Sequence, residues 1–269
     1  MLRNALCEFK GVGTWPCDEI NYIWRHGNIH YETDELSCEM ATPKVKGFIT
    51  KEFDEFADKH KLNFLIEKTC ANSLRVPFVD RIIPEAKYIF MIRDGMDVVG
   101  SASIRWRAKL DIPYIFKKIR YIPLFDLPLY SYHYISSRLY KLFSKEKRLS
   151  FWGPRFKNSN KVVKKYSLEE ICAIQWQRCV TLSEESFQNI SSDRIIRVKY
   201  EDFVLNPDVE LRRITGKLGI THTVEQIYKA VKVVSSDNIG KGRKLLNKNK
   251  LIKVSSLILK TLRVYGYKY

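Results

Sequence analysis

Residues 88–101 read Tyr88-Ile89-Phe90-Met91-Ile92-Arg93-Asp94-Gly95-Met96-Asp97-Val98-Val99-Gly100-Ser101, an apolar run that leads directly into the start of a helix. The first five residues are β-branched, aromatic or otherwise apolar, and they predict a buried strand. Ligands of open α/β sheets bind at the carboxyl ends of the strands, so Arg93 lies where an anion binds. The Ser101 hydroxyl can supply a second donor to the same anion.

The rest of the chain alternates strand and helix patterns, which predicts an α/β fold with three layers, α/β/α, and a central parallel sheet. The 269 residues are interpreted as one domain. Besides 88–92, the predicted strands are 62–66 and 194–198, and the predicted helices are 1–9, 42–59, 74–83, 167–186, 211–218, 224–234 and 251–262. Residues 102–157 are rich in aromatic and basic side chains, and their prolines predict short pieces.

The composition favours anionic ligands, because 47 Lys and Arg residues against 30 Asp and Glu residues give a net charge of +17. No helix-turn-helix, zinc-finger or RNA-recognition signature accompanies this charge, so nucleic acid is not the expected partner. The six cysteines are scattered without a C-x-x-C pair, which disfavours zinc and predicts reduced thiols and a cytoplasmic protein. No apolar stretch is long enough to predict a membrane span in this chain.

The segment Arg93-Asp94-Gly95-Met96-Asp97-Val98-Val99-Gly100-Ser101 resembles the R-D-x-x-D-V-V-x-S element of sulfotransferases that use 3′-phosphoadenosine 5′-phosphosulfate (PAPS). In those enzymes the element binds the 3′-phosphate of the nucleotide. The resemblance implies that Arg93 and Ser101 bind this phosphate, that the fold is related to that of P-loop NTPases, and that PAPS is the co-substrate. It implies no metal ion.

Two further segments resemble catalytic elements of the same family. Glu67-Lys68-Thr69 resembles the E-K-T-P motif after the third strand, with Cys70 in place of the proline, and implies that Lys68 neutralises phosphate charge. Cys17-Asp18-Glu19 resembles the position of the acidic base in carbohydrate and tyrosine sulfotransferases, which implies that Glu19 removes the acceptor proton. Asp18 is the second candidate for the base, and a histidine stays open.

The late segment Ile239-Gly240-Lys241-Gly242-Arg243 resembles the family loop that closes over the cofactor phosphates, with Gly242 where an aromatic residue is frequent. It implies that Lys241, Gly242 and Arg243 bind the cofactor. The family also has a strand and a 5′-phosphosulfate loop before a helix that resembles Leu2-Arg3-Asn4-Ala5-Leu6. This sequence begins at that helix, so we expect a truncated domain whose first strand and phosphate loop are missing.

Together these motifs predict transfer of a sulfuryl group from PAPS to a hydroxyl acceptor, with residues 102–157 as an acceptor-site insertion. Hydrogen-bonding groups and aromatic faces favour a carbohydrate or another small hydroxylated molecule; they come from Asp18, Asn21, Trp24, Arg25 and Trp106. The alternative is a catalytically impaired remnant that binds nucleotides or polyanions without the 5′-phosphosulfate loop. A nucleotide kinase is disfavoured, because no Gly-x-x-x-x-Gly-Lys-Ser/Thr loop occurs. The oligomeric state stays open.

Overall fold

The computed structural model describes residues 1–108, 118–144 and 147–268. Within these ranges the protein is an α/β structure whose strands pair in parallel as two two-stranded sheets. The strands are β1 (Val12–Thr14), β2 (Phe64–Ile66), β3 (Tyr88–Ile92) and β4 (Ile195–Lys199). Strand β1 pairs with β2, and β3 pairs with β4.

Helices connect the strands along the chain. They are α1 (Leu2–Leu6), α2 (Asn21–Trp24), α3 (Pro43–His60), α4 (Val76–Ile82), α5 (Gly95–Trp106), α6 (Leu127–Phe143), α7 (Ser159–Lys165), α8 (Leu168–Phe187), α9 (Tyr200–Leu205), α10 (Pro207–Leu218), α11 (Val224–Val231), α12 (Lys241–Lys244) and α13 (Lys248–Val264). Short 3₁₀ turns lie at Cys38–Met40, Cys70–Leu74 and Ser192–Arg194. Among the described helices, none is long and apolar enough to cross a membrane.

The predicted strand at residues 88–92 is confirmed residue for residue. The expected single central sheet is not what the described strands form, since hydrogen bonds join them only in two pairs. The two sheets nevertheless share an apolar core. Phe64 and Ile66 of β2, together with Ile89 and Met91 of β3, pack against one buried cluster that includes Phe203.

Helix α6 corrects the expectation that residues 102–157 form only short pieces, because 17 consecutive residues of this region are helical. Pro128 lies in the first turn of the helix, where a backbone N–H has no partner within the helix to lose. The proline therefore starts the helix instead of breaking it. Residues 109–117 of the predicted insertion lie outside the described residues.

Helix α5 carries the segment that follows β3, and two neighbouring helices hold it in place. Its N-terminus is capped by the Asp94 side chain, which accepts a hydrogen bond from the Met96 N–H at 2.9 Å. Met96, Val99 and Trp106 are buried in a cluster shared with α8 and α13. This packing fixes the position of every polar group that α5 presents at the end of β3.

Candidate functional site

Arg93 follows the last residue of β3, and its guanidinium is held on two sides. Its Nη2 donates to the Asp97 carboxylate at 3.1 Å and to the carbonyl oxygen of Asn238, and the guanidinium lies 4.5 Å from the centre of the Tyr200 ring. The Nε atom is buried and has no hydrogen-bond partner among the described residues. Arg93 is thus an oriented cation with one N–H group that the protein leaves unused.

Asp97 connects Arg93 to the late basic loop. Its side chain is almost fully buried, and one oxygen accepts the Gly240 N–H at 2.7 Å while the other accepts the Arg243 N–H at 3.0 Å. The loop is therefore attached directly to the first turn of α5. The sequence indicates Asp97 only as part of the helix start. Its role in binding the loop could have been suspected from its position, because an acid in the first turn lies beside free backbone N–H groups.

Gly100 and Gly242 allow this loop to approach α5 at backbone distance. A Cβ atom on Gly100 would lie 1.9 Å from the Gly242 carbonyl oxygen, and one on Gly242 would lie 1.9 Å from the Asp97 carbonyl oxygen. No side chain fits at either position, which explains why this loop has glycine where the similar family loop frequently has an aromatic residue. Gly242 is accordingly buried against α5.

The other predicted phosphate-binding residues lie in the middle of α5 and in the late loop. The Ser101 side chain is partly buried and forms no hydrogen bond within the described part of the chain, so its hydroxyl has donor capacity to spare. Lys241 is exposed. Arg243 donates to the Lys268 carbonyl oxygen at 2.9 Å and lies 3.7 Å from the Asp94 carboxylate.

Glu201, the second residue after β4, fixes the ends of both neighbouring strands. One carboxylate oxygen accepts the Asp94 N–H at 3.0 Å, and the other accepts the Tyr267 hydroxyl at 2.8 Å. Burial raises the pKa of Asp94 above its ordinary value, and the Asp97 and Glu201 carboxylates act in the same direction. Asp94 is therefore an acid whose charge the neighbouring Arg243 and the Met96 N–H must stabilise.

The second group of predicted residues meets at the end of the other sheet. The Lys68 ammonium lies 3.4 Å from the Glu19 carboxylate, and the Cys70 N–H donates to the same oxygen at 3.3 Å. Burial lowers the pKa of Lys68, but the Cys70 and Glu19 side chains outweigh it, so that this pKa lies above its ordinary value. The structure thus brings two of the three predicted catalytic side chains, Glu19 and Lys68, into contact.

Asp18 is directed differently from its neighbour. Its side chain is 63% exposed and pairs with Arg3 of α1 at 3.3 Å. Asp18 and Glu19 lie in the loop after β1 and not in a strand. Their side chains therefore point in different directions because each pairs with a different cation, Asp18 with Arg3 and Glu19 with Lys68. The contact with Lys68 distinguishes Glu19 from Asp18.

A cluster of polar side chains, the buried polar cluster, supports the loop that contains Glu19. The Glu67 carboxylate accepts hydrogen bonds from the Thr69 hydroxyl and from Asn72 Nδ2, the latter at 2.8 Å, and the Thr69 oxygen accepts the Ile20 N–H at 3.1 Å. Burial raises the pKa of Glu67 to about 7. The sequence pattern did not identify Glu67 as more than a neighbour of Lys68, yet it fixes the backbone immediately after Glu19.

The buried polar cluster extends to a buried ion pair. Arg75 is completely buried, and it donates to Asn21 Oδ1 at 2.6 Å and to Asn72 Oδ1 at 2.9 Å. Its Nη1 is 3.6 Å from Asp34, which also pairs with Arg25 at 2.9 Å. Burial raises the pKa of Asp34, but the two guanidinium groups outweigh it and hold this pKa below its usual range.

These positions correct the predicted acceptor surface. Trp24 and Trp106 are 2% and 0% exposed, respectively, and are packed in the apolar clusters, so they present no aromatic face to a ligand. Asn21 and Arg25 are committed to the hydrogen bonds around Asp34. Of the residues proposed to contact an acceptor, Asp18 is the exposed one.

The first residue of the chain contacts the segment before the late basic loop. The Met1 sulfur accepts the N–H of Ser235, which precedes the loop attached to Asp97. At the same residue, partial burial lowers the pKa of the amino group, and the charges of Arg3 and Lys68 act in the same direction. The Met1 amino group therefore lies near the positive charges of Arg3 and Lys68. Among the described residues, no group of three or more His, Cys, Asp or Glu side chains is arranged to hold a metal ion.

Comparisons with known proteins show the family of this chain. A search of curated proteins finds no match. A solved structure titled "Sulfotransferase Domain from the Curacin Biosynthetic Pathway" is similar over 99% of this chain and 93% of that chain, with a TM-score of 0.48 and 12% sequence identity. The model of a family described as "Sulfotransferase family" matches residues 19–133 and 140–224, a span that includes Glu19, Lys68, Arg93 and Ser101. Because that match covers well over half of the chain, the protein belongs to the sulfotransferase family.

Proposed function

We propose that the protein transfers a sulfuryl group from PAPS to a hydroxyl group of an acceptor. The observation that carries this proposal is the Arg93 guanidinium, which Asp97 and Tyr200 orient while its buried Nε stays unpartnered. A planar, permanently charged group with an unused N–H suits a phosphate oxygen. The free Ser101 hydroxyl supports assignment of this position to the 3′-phosphate.

The chemistry assigns separate roles to Glu19 and Lys68. The acceptor oxygen attacks sulfur as the bond between sulfur and the phosphate oxygen of PAPS breaks, and Glu19 takes the hydroxyl proton. Lys68 neutralises the negative charge that develops on the departing phosphate oxygen. Their contact at 3.4 Å supports these roles, because it places the carboxylate beside the cation that the leaving group requires.

The late loop completes the proposed nucleotide site. Lys241 is exposed and Arg243 lies beside Asp94, so both add positive charge next to Arg93. Gly242 brings the backbone of this loop against α5. The acceptor is proposed to be a small hydroxylated molecule, carbohydrates included, that reaches Glu19 from the side of the exposed Asp18. The six cysteines, all unpaired, support a reducing compartment such as the cytoplasm.

Binding of the product nucleotide tests the phosphate site. Isothermal titration calorimetry with 3′-phosphoadenosine 5′-phosphate should show an affinity that Ser101→Ala and Arg93→Lys each weaken by about 1.5 to 3 kcal/mol, the range for a hydrogen bond to a charged group. Arg105→Ala removes an exposed charge from the same helix and should leave the affinity unchanged. Equal binding of AMP, which lacks the 3′-phosphate, would overturn the assignment.

Transfer of labelled sulfate from PAPS to a panel of hydroxylated acceptors tests the reaction. Glu19→Gln should lower kcat by about 10²- to 10⁴-fold, the usual contribution of a general base, without changing the nucleotide affinity. Asp18→Asn is the matched control and should retain most of the activity. Nucleotide binding without transfer to any acceptor would instead favour the non-catalytic remnant.

A further inference from the structure

Helix α6 and the turn before it present a continuous stripe of apolar side chains to solvent. Along the helix, the spacing of Tyr132, Ile135, Leu139 and Phe143 places them on one face. The exposed fractions range from 52% at Leu139 to 96% at Phe125. We refer to this surface as the α6 stripe; its residues are Leu124, Phe125, Tyr132, Ile135, Leu139 and Phe143.

The opposite face of α6 is anchored to the protein, so the orientation of the stripe is fixed. Arg138 donates to the Ala108 carbonyl oxygen at 3.1 Å, and Lys141 donates to the same oxygen at 2.8 Å. Ser137 accepts the Ser150 N–H at 3.3 Å. The apolar side chains therefore project outward from a supported helix roughly 25 Å long, as 17 residues at 1.5 Å each predict.

The charge around the α6 stripe has one sign. Residues 118–144 contain four cations, namely Lys118, Arg120, Arg138 and Lys141, and a single acid. That acid, Asp126, is 8% exposed and lies 2.7 Å from His26 Nδ1, so it contributes little negative charge to the surface. Arg138 and Lys141 belong to the anchored face, so Lys118 and the exposed Arg120, before the helix, supply the positive charge beside the stripe, and no acid of residues 118–144 is exposed.

We propose that the α6 stripe docks this protein onto the surface of an anionic lipid bilayer. A helix lying in the membrane interface buries apolar side chains among the acyl chains while lysines and arginines contact the lipid phosphates. A second copy of the chain is the less favourable occupant, because docking two α6 faces would bring two sets of cations together without acids to pair them. The inference concerns membrane recruitment and does not depend on the proposed reaction.

Vesicle sedimentation tests this proposal with the full chain. Wild-type protein should sediment with phosphatidylcholine vesicles that contain about 30% phosphatidylserine, and less with phosphatidylcholine alone. The triple variant Ile135→Ser, Leu139→Ser, Phe143→Ser should lower the partition coefficient at least about tenfold, since the apolar contribution to binding is removed. All three side chains are more than half exposed, so the fold should be retained.

The matched control places the same chemical change on another surface. Val209→Ser, Val224→Ser and Tyr228→Ser replace side chains that are 59%, 71% and 65% exposed, and this variant should bind vesicles as the wild type does. Equal loss of binding in both triple variants would overturn the proposal. The proposal would also be overturned if the wild-type protein bound to neither kind of vesicle and instead formed a dimer that the α6 variant cannot form. Analytical ultracentrifugation would detect this dimer.

Discussion

Asp34 belongs to the buried polar cluster, and only 3% of its surface is exposed. Its carboxylate is surrounded by Arg25, Arg75 and the Arg155 N–H. Removing one charge from such an arrangement leaves the partners desolvated and unpaired. We expect Asp34→Asn to lower the free energy of unfolding by about 3 kcal/mol at pH 7.

The pH dependence of this effect follows from the lowered pKa. Because the pKa of Asp34 is lower in the folded state than in the unfolded state, its contribution is fully present above the unfolded value, about 3.9, and is lost as the pH falls below it. Urea denaturation should therefore show a smaller difference between variant and wild type at pH 3 than at pH 7. Asp54→Asn, on an exposed face of α3, is the control and should have little effect. A difference that is equal at both pH values would contradict the role of the charge.

Glu201 and Tyr267 provide a second test at single residues. Tyr267→Phe should cost about 1 kcal/mol of stability, the typical value of one hydrogen bond. Because the two side chains act through the same contact, Tyr267→Phe combined with Glu201→Gln should be non-additive by at least about 0.5 kcal/mol. Tyr265 donates to Glu184 instead, at 2.8 Å, so Tyr265→Phe should be additive with Glu201→Gln in the same thermal denaturation series.

At the scale of elements, the approach of α12 to α5 depends on two glycines. Gly100→Ala and Gly242→Ala should each lower stability by more than about 2 kcal/mol, because the new methyl group meets backbone atoms that cannot move alone. Each should also weaken binding of 3′-phosphoadenosine 5′-phosphate, since the loop beside Arg93 must shift. Calorimetry and urea denaturation measure the two effects.

Two other helical glycines supply the matched controls. Gly47 in α3 and Gly216 in α10 have open space where a Cβ would lie, so Gly47→Ala and Gly216→Ala should raise stability by about 0.5 to 1 kcal/mol. The explanation would be contradicted if Gly47→Ala or Gly216→Ala lowered stability, or if Gly100→Ala and Gly242→Ala did not. Either result would show that the close approach of the two backbones does not determine the loss of stability.

Elements with strong local signals could be predicted from the sequence. Strand β3 is a complete apolar run between a proline and a glycine, and α3 begins with the cap Thr42 followed by Pro43. Strand β1 has only three residues, one of them Gly13, so its pattern is too short to distinguish it from a loop. Helix α6 was missed because its proline was interpreted as a break.

The residues of the candidate site also divide into those that local sequence signals predict and those that they do not. The place of Arg93 at a strand end followed by a helix start could be predicted, because both elements have strong local signals. The contact of Glu19 with Lys68 was not predicted. The roles of Asp34 and Glu67 could not be predicted, because a buried polar side chain is defined by partners that its local sequence pattern does not show. Hydrophobic periodicity contains no information about those partners.

At the scale of the whole molecule, the net charge of +17 should make nucleotide binding depend on salt. A saturating nucleotide at about 100 times its Kd adds about 2.7 kcal/mol to stability, which corresponds to a rise in Tm of roughly 5 to 10 °C for a domain of this size. Differential scanning fluorimetry with 3′-phosphoadenosine 5′-phosphate at a fixed concentration should show this rise, and it should shrink as sodium chloride increases. A rise that is independent of salt would show that long-range charge does not contribute.

The parallel pairing of the strands also sets the order in which the chain can fold during synthesis. Val12 pairs with Phe64 about fifty positions later, whereas Tyr88 pairs with Ile195 more than a hundred positions later. Pairing of β3 must therefore wait for a long loop to close, and contacts of such sequence separation form slowly. Until β4 leaves the ribosome, the apolar strand Tyr88–Ile92 lacks its partner, and its unpaired edge is exposed to aggregation and to chaperone binding.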